Sequence, residues 1–518
     1  MLRSLCRPRT AAAPGAGRLG ISEDTMSFFD GGWEGKLYSG GWVAGGGAFP
    51  AVKEVATGHI LGNIALASPD DLESSIALAS EAQVAWAREP ARSRAAVLRR
   101  AGALLEEQAR VISGWVMRES GAPRAQAAFE VSVAANAMGA AASSIQSIHT
   151  GSGTVSGDAF KLTRRVPVGI VGITTPETYP LATTAKSVAG ALATGNAAIV
   201  VVDARVAVCG GLLVAAVLEA AGLASGVLSV LPGRDDMARL LAAHPQVRGL
   251  SFAGTAGTAR DVVATAAAHF SRTVVTVPQA SALVVLPGAD VAVAVASGTG
   301  GALTRTRRIA RGCGIHLVHE SLVDLYVDQL TLAADELVVG DPLVADVTIG
   351  PLLDTGERDR LHAAVTAAVT GGARLASGGR YEGLFYRPTV LADPTGTVVD
   401  SAATLGGPVA VVVSWTSLDD ALELVHRAAP VGYLDIVGAD SATALEIAER
   451  SGAETVTVVA GGAGPAGGAG LAGATTDSNF EANADDDNVA ASTFWTEQRI
   501  SLPLGATLSS AATLTDEL

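Results

Sequence analysis

Nucleophile and cations crowd together in one stretch of this chain, Arg305-Thr306-Arg307-Arg308-Ile309-Ala310-Arg311-Gly312-Cys313-Gly314-Ile315-His316. A cysteine attacks as its thiolate, and neighbouring cations lower a thiol pKa. Cys313, close to Arg308, Arg311 and His316, therefore has the residue types for covalent chemistry. The simpler reading is a spectator thiol at the start of a strand. Arg305, Arg307, Arg308 and Arg311 also form the densest basic cluster of the folded chain. Turned into a cavity they would grip a carboxylate or a phosphate; turned outward they would be a solvated face paired with local acids. Cys209 falls on an apolar helix face and reads as core. The eight histidines show no metal-ligand spacing, so no metal site is expected.

Chemistry needs a frame, and residues 166–286 supply the clearest one. The segments VPVGIVGIT, AAIVVV, GVLSVLP, VRGLSFAG, RTVVTV and SALVVLP are short Val- and Ile-rich runs bounded by Gly or Pro. Between them lie Ala/Leu segments with helical spacing, including one over 206–221, which is the pattern of βα units feeding a parallel sheet. Such a sheet is buried on both faces, and its ligands sit beyond the carboxyl ends of the strands. The informative loops are therefore those after Thr174, Val202, Pro232 and Phe252.

Composition narrows the class. The 518 residues are 49% hydrophobic and 17% charged, enough for two to four packed domains. A net charge of −15 argues against a nucleic-acid-binding surface. Three scattered cysteines, Cys6, Cys209 and Cys313, fit neither a disulfide framework nor a zinc site and point to a reducing, cytoplasmic setting. The longest apolar helical run stops at Glu219, short of the ~20 residues a bilayer needs, so no membrane span is expected. Residues 1–25 read as a disordered tail or an overcalled start with Met26 the true start; a transit peptide is disfavoured by Pro8 and Pro14.

The remaining chain has a coarse order. After Met26 come glycine-turned hairpin strands, then a helix opening at Asp70 or Asp71, then helices over 93–119 and 124–147. Residues 150–165 read as an extended arm. A second alternating region runs to about Arg450 and contains helices over 290–303 and 357–372. Residues 461–473 are glycine-rich, 481–488 are acidic, and STFWTEQRISLPL could form one further strand.

These segments, in this order, resemble the aldehyde dehydrogenase superfamily, most closely its benzaldehyde-oxidising branch. The likeness rests on YSGGWV (38–43), RRVPVGIVGIT (164–174), ALATGN (191–196), GLASGVLSVLPG (222–233), LSFAGT (250–255), HLVHESLVDLYV (316–327), VGDP (339–342), GPLLD (350–354) and GGPVAVVV (406–413). The resemblance implies an α/β fold of three parts. A Rossmann-type dinucleotide-binding domain would span 26–147 and 167–275, and a catalytic-type α/β domain 276–455. A small β oligomerisation arm would span 148–166 and 490–505, leaving 456–489 as a loose glycine-rich and acidic segment.

The family's reaction uses a cysteine nucleophile, an asparagine for the oxyanion and a glutamate base. By the same resemblance these positions are Ala310, Thr178 and Thr276, so all three are substituted. Cys313, three residues beyond Ala310, is the alternative nucleophile. Glu177 stands at the normally apolar place beside Thr178, where it could pair with one of the 305–311 arginines. His316 and His319 match ordinary strand positions. Among cofactor-binding positions, the ribose-binding lysine corresponds to Val201 and the acid near the nicotinamide ribose to Thr404. Gly254 and Thr255 keep the helix start facing the pyrophosphate, and Gly233 closes GLASGVLSVLPG. The resemblance thus implies weakened binding of NAD or NADP and an inactive pseudo-dehydrogenase or non-catalytic subunit. It would be a homo-oligomer (dimer or tetramer) or a hetero-oligomer with an active relative. The alternative is an active NAD(P)-dependent dehydrogenase rebuilt around Cys313, and in either case a small aldehyde or carboxylate could be bound.

Overall fold

The computed structural model describes residues 32–148, 152–156, 159–277, 280–304, 313–393, 396, 398–399, 406–428, 431–459 and 494–503. For 146–148, 152–160, 280, 313 and most of 495–503 it describes the backbone alone.

The βα pattern of 166–286 becomes a seven-stranded sheet. Its order is Arg272–Thr276, Val247–Ala253, Ile170–Thr175, Ala197–Asp203, Leu228–Gly233, Lys36–Ser39 and Trp42–Ala44. The first five strands are parallel, and the amino-terminal hairpin adds two antiparallel ones. One face packs Val171, Ile173, Val200, Val202 and Val230 among the helices of 91–148, 180–193 and 213–220. The opposite face packs Ile170, Ile199, Val201 and Leu231 with Leu72 and Ile76 on one side and Met237 and Leu241 on the other. Both faces are thus apolar, as a parallel sheet clad by helices requires.

Chain direction across this sheet decides where a ligand can enter. The path starts at Ile170–Thr175, steps one way to Ala197–Asp203 and Leu228–Gly233, then returns to the far side at Val247–Ala253. The order reverses beside Ile170–Thr175, which leaves a crevice beyond its carboxyl end.

Helix boundaries moved from their sequence expectations for local reasons. The first helix runs Pro69–Arg88, because Ser68 is its N-cap and forms a capping box with Asp71, which puts both acids inside the first turn. The helix expected over 93–119 is two, Ala91–Glu107 and Ala109–Ser120, broken at Gln108. Both halves pack on Arg124–Ile148, and the second also meets Val208–Leu212, a change of neighbours that helical periodicity alone does not reveal. The helix expected over 206–221 opens as a 3-10 turn and a wider π turn before Leu213–Ala220. There the buried Glu119 carboxylate accepts N–H bonds from Val208 (3.1 Å) and Cys209 (2.6 Å). Cys209 is buried, as its helix-face position implied.

A second seven-stranded sheet follows, ordered Arg374–Ser377, Thr389–Ala392, Val409–Trp415, Cys313–His319, Ala280–Val285, Val431–Val437 and Thr455–Val459. All pairs are parallel except that of Arg374–Ser377. Its last strand corrects the expectation of a loose segment from 456. The β-branched run TVTVV pairs along Val431–Val437, so ordered sheet extends to Val459. The glycine-rich 461–473 and acidic 481–488 lie outside the described residues.

Strand Trp495–Pro503 pairs antiparallel with Ala159–Pro167, which pairs with Ser152–Ser156. This small sheet is anchored at Phe494, a fully buried ring whose carbonyl accepts from Asn196 Nδ2 at 2.8 Å.

Candidate functional site

A cavity of about 240 Å³ opens beyond the carboxyl ends of the first sheet. Four strand-end loops build it: Thr174–Glu177, Val201–Arg205, Gly233–Asp235 and Phe252–Thr258, with Arg360 contributed by the second lobe. These are the loops that the βα reading singled out.

Each loop is held by its own sequence. Pro176 ends the strand Ile170–Thr175, and Tyr179 takes a left-handed conformation (φ 44°) that turns the chain into helix Pro180–Ala193. The buried Glu130 carboxylate caps that helix, accepting from the Leu181 N–H at 3.1 Å. Opposite, Thr255 caps helix Ala256–Ala268 by accepting from the Thr258 N–H, and this helix points its N-terminus into the cavity. Thr258 Oγ1 donates on to Asp235 at 3.1 Å. A side chain at Gly254 would meet the Phe252 ring, and one at Gly233 would meet Met237, so both glycines leave room that larger residues would fill.

Charge at the cavity mouth centres on Arg205. Its guanidinium donates twice to Asp203, through Nε to Oδ1 (3.1 Å) and Nη2 to Oδ2 (2.6 Å), and through Nη1 to Asp354 of the second lobe (2.9 Å). Glu177 approaches Nη2 at 3.5 Å. Burial works against the Arg205 charge, yet these carboxylates outweigh it and raise its pKa. Burial likewise opposes ionisation of Asp354, but the Glu357 N–H and Arg205 hold its pKa below the usual carboxylate value. The clasp joins a strand end of one lobe to a helix cap of the other.

The predicted positions divide three ways. Val201, Gly233, Gly254 and Thr255 all line the cavity, Val201 as an apolar, buried wall. Thr178 sits half-buried on the turn beside Glu177 and does not line it. Thr276 is exposed at the end of edge strand Arg272–Thr276, its carbonyl accepting the Gly254 N–H at 3.2 Å. Cys313 begins the strand Cys313–His319, paired in register with Ser281. Ala310, Thr404 and the arginines at 305, 307, 308 and 311 lie outside the described residues. Glu177 pairs with Arg205, because Thr175 and Val202 are register partners and bring the two loops side by side.

Sequence reasoning missed Arg205, Asp203, Asp354 and Arg360. The Asp-x-Arg spacing at 203–205 was a readable local signal; Asp354, 149 residues from Arg205, carried none. His316 is fully buried with Nδ1 2.9 Å from the Tyr326 hydroxyl, in keeping with a structural role. Among the described residues no cluster of His, Cys, Asp and Glu could hold a metal ion, and no helix is long and apolar enough to cross a membrane.

The structure is thus a two-lobed α/β frame with a polar cleft at the switch point of its first sheet. The family model described as the aldehyde dehydrogenase family matches residues 42–483, and the chain belongs to that family. It is 42% identical over 427 residues to a vanillin dehydrogenase of Amycolatopsis sp., covering 82% of this chain and 88% of the relative. It is 34% identical over 421 residues to the NAD(+) benzaldehyde dehydrogenase of Pseudomonas putida, covering 81% and 86%. The relatives thus include the benzaldehyde branch that the motifs indicated. In fold it matches an NAD-dependent benzaldehyde dehydrogenase from Corynebacterium glutamicum with a TM-score of 0.79 at 24% identity, over 91% of this chain and 97% of the other.

Proposed function

We propose that this protein is a catalytically inactive aldehyde dehydrogenase that keeps a cleft for NAD or NADP, acting as a pseudo-dehydrogenase or non-catalytic subunit. What supports this reading is that Ala310, Thr178 and Thr276 stand where the motif resemblance places the nucleophile, the oxyanion donor and the base, in a chain 42% identical to a vanillin dehydrogenase. Loss of the nucleophile of a covalent mechanism costs about 10⁶ in rate. Loss of an oxyanion donor costs about 10²–10³ and of a general base about 10²–10⁴, but residues that act as a unit do not add. Thioester chemistry is then effectively absent.

The cleft nevertheless fits a dinucleotide. Its helix N-terminus and the guanidiniums of Arg234 and Arg360 suit phosphates, and its carboxylates suit ribose hydroxyls. Val201 supplies no charge, and losing one charged hydrogen bond weakens binding by about 10- to 150-fold. The small sheet ends in strands Ser152–Ser156 and Trp495–Pro503, edges suited to pairing with another copy or with an active relative in the cytoplasm.

Calorimetric titration with NAD and NADP tests this, followed by addition of benzaldehyde or vanillin with absorbance read at the reduced-nicotinamide band. Binding without turnover is the expected result; robust turnover by pure protein would overturn it. The high identity to a dehydrogenase favours a second reading, turnover through Cys313. Any activity surviving in Cys313→Ala removes that reading.

A further inference from the structure

We propose that the two-stranded ribbon Tyr381–Glu382 and Phe385–Tyr386 is a docking surface for an acidic segment of a partner protein, gripped by the guanidiniums of Arg380 and Arg387. The inference does not depend on the reading of the cleft.

Local charge singles this surface out. The chain carries a net charge of −15, yet residues 372–388 hold three arginines, Arg374, Arg380 and Arg387, and one acid, Glu382. Arg380 and Arg387 are exposed and stand opposite each other at the base of the ribbon, where the Arg380 carbonyl accepts the Arg387 N–H at 3.0 Å. Like charges placed directly opposite destabilise a strand pair. An acid alongside would relieve them, but among the described residues neither guanidinium has a hydrogen bond or an ion pair. On the helix Thr355–Thr370, against which the ribbon packs, Asp359 is already taken by Arg358 through Nε (2.8 Å) and Nη2 (2.7 Å).

The ribbon that carries the two arginines is firmly held. Tyr381 and Tyr386 stack across it with ring centroids 6.0 Å apart, and His362 of the helix meets both rings edge-on. Arg358 lies 4.7 Å over the Tyr381 ring and donates to the Gly383 carbonyl at 3.2 Å. Tyr386 is fully buried, whereas Tyr381 remains 39% exposed. A surface fixed in this way loses little freedom on binding, and arginine and tyrosine are residue types that interfaces favour.

Geometry narrows the partner. A guanidinium grips a carboxylate through two parallel N–H bonds. Residues opposite on a ribbon hold their Cβ atoms about 5 Å apart, and alternate residues of an extended peptide lie about 7 Å apart on one face. Two acids spaced two residues apart therefore reach both arginines. Nucleic acids and anionic membranes are disfavoured, because two arginines do not offset the net negative charge of the whole chain.

The test is fluorescence anisotropy of the full chain with a labelled peptide of alternating Asp and Ser, its Asn-Ser counterpart serving as control. Wild type should bind the acidic peptide at low ionic strength and release it as salt is added. Arg380→Gln and Arg387→Gln should each weaken binding about 5-fold, and the double variant more. Lysine at either position keeps the charge without the fork and should fall between. Melting temperatures of the glutamine variants should match or exceed wild type, since the opposed charges are relieved. Arg248→Gln removes an exposed charge from the first lobe and should bind like wild type. An equal loss in that variant would reduce the effect to net charge and overturn the assignment. Wild type that fails to distinguish the acidic from the neutral peptide, or that binds single-stranded DNA as tightly, would overturn it too. So would lower melting temperatures in both glutamine variants, by showing the guanidiniums bonded within the fold.

Discussion

The two seven-stranded sheets are built alike but end differently. Strands of the first finish in Thr175, Asp203, Gly233 and Ala253, around an open polar cavity. In the second, the ends of Cys313–His319 and Val409–Trp415 close on each other. The His319 ring packs edge-on against Trp415 at 4.7 Å, His319 Nδ1 shares a hydrogen bond with Ser321 (2.8 Å), and Trp415 Nε1 donates to the Leu317 carbonyl (3.2 Å). Parallel topology offers strand ends in both lobes. Whether they become a site depends on whether the terminal residues are small and polar or aromatic and mutually satisfied.

The largest way to break this contrast is Trp415→Ala. Trp415 is 3% exposed, and truncating a buried tryptophan costs about 3–5 kcal/mol. Chemical denaturation should register that loss, with the affinity of the first-lobe cleft for nucleotides unchanged. A loss below 1 kcal/mol would mean that this plug is not part of the core.

Behind the cleft, Glu119 gives a pH signature confined to the first lobe. Burial pushes its pKa up to about 7, against the opposing pull of the Cys209 and Val208 N–H groups. A raised acid binds more protons folded than unfolded. Its contribution to stability is therefore greatest below the ordinary glutamate pKa, declines as pH rises toward about 7, and is flat above. The decline should amount to about 3–4 kcal/mol. Urea midpoints of wild type and Glu119→Gln across that window check it, and parallel curves for the two proteins would refute the assignment.

The smallest effect tests the link between lobes. The Arg205 side chain is 38% exposed, as is that of Asp354, so solvent screens the pair. Arg205→Met should cost about 1 kcal/mol at low ionic strength. Added salt should erase the difference. A cost that persists in salt would point to packing by the arginine stem instead.

Much of the frame was legible because its signal is local. Val- and Ile-rich runs alternating with helical spacing fixed the parallel sheet, and with it the four strand-end loops that do line the cavity. Helix-face position also placed Cys209 in the core. Breaks at Gln108 and around Val208–Leu212 were not legible, since a helical repeat reads the same through a kink. Glu177 stands beside Arg205, because register, not sequence distance, sets which loops meet; the 305–311 arginines beside which it was expected lie outside the described residues.

The sequence by itself determined the family and the βα order, both of which are carried by neighbours along the chain or by motif order. Only the tertiary structure decided that Arg205 reaches Asp354 across 149 residues, that the His319 ring packs on Trp415 at one end of the second sheet, and that Thr174 and Thr175 line the cavity beside apolar register partners. Ion pairing and hydrogen-bond satisfaction belong to groups brought together by strand register and lobe packing, and neither leaves a periodic trace in the chain.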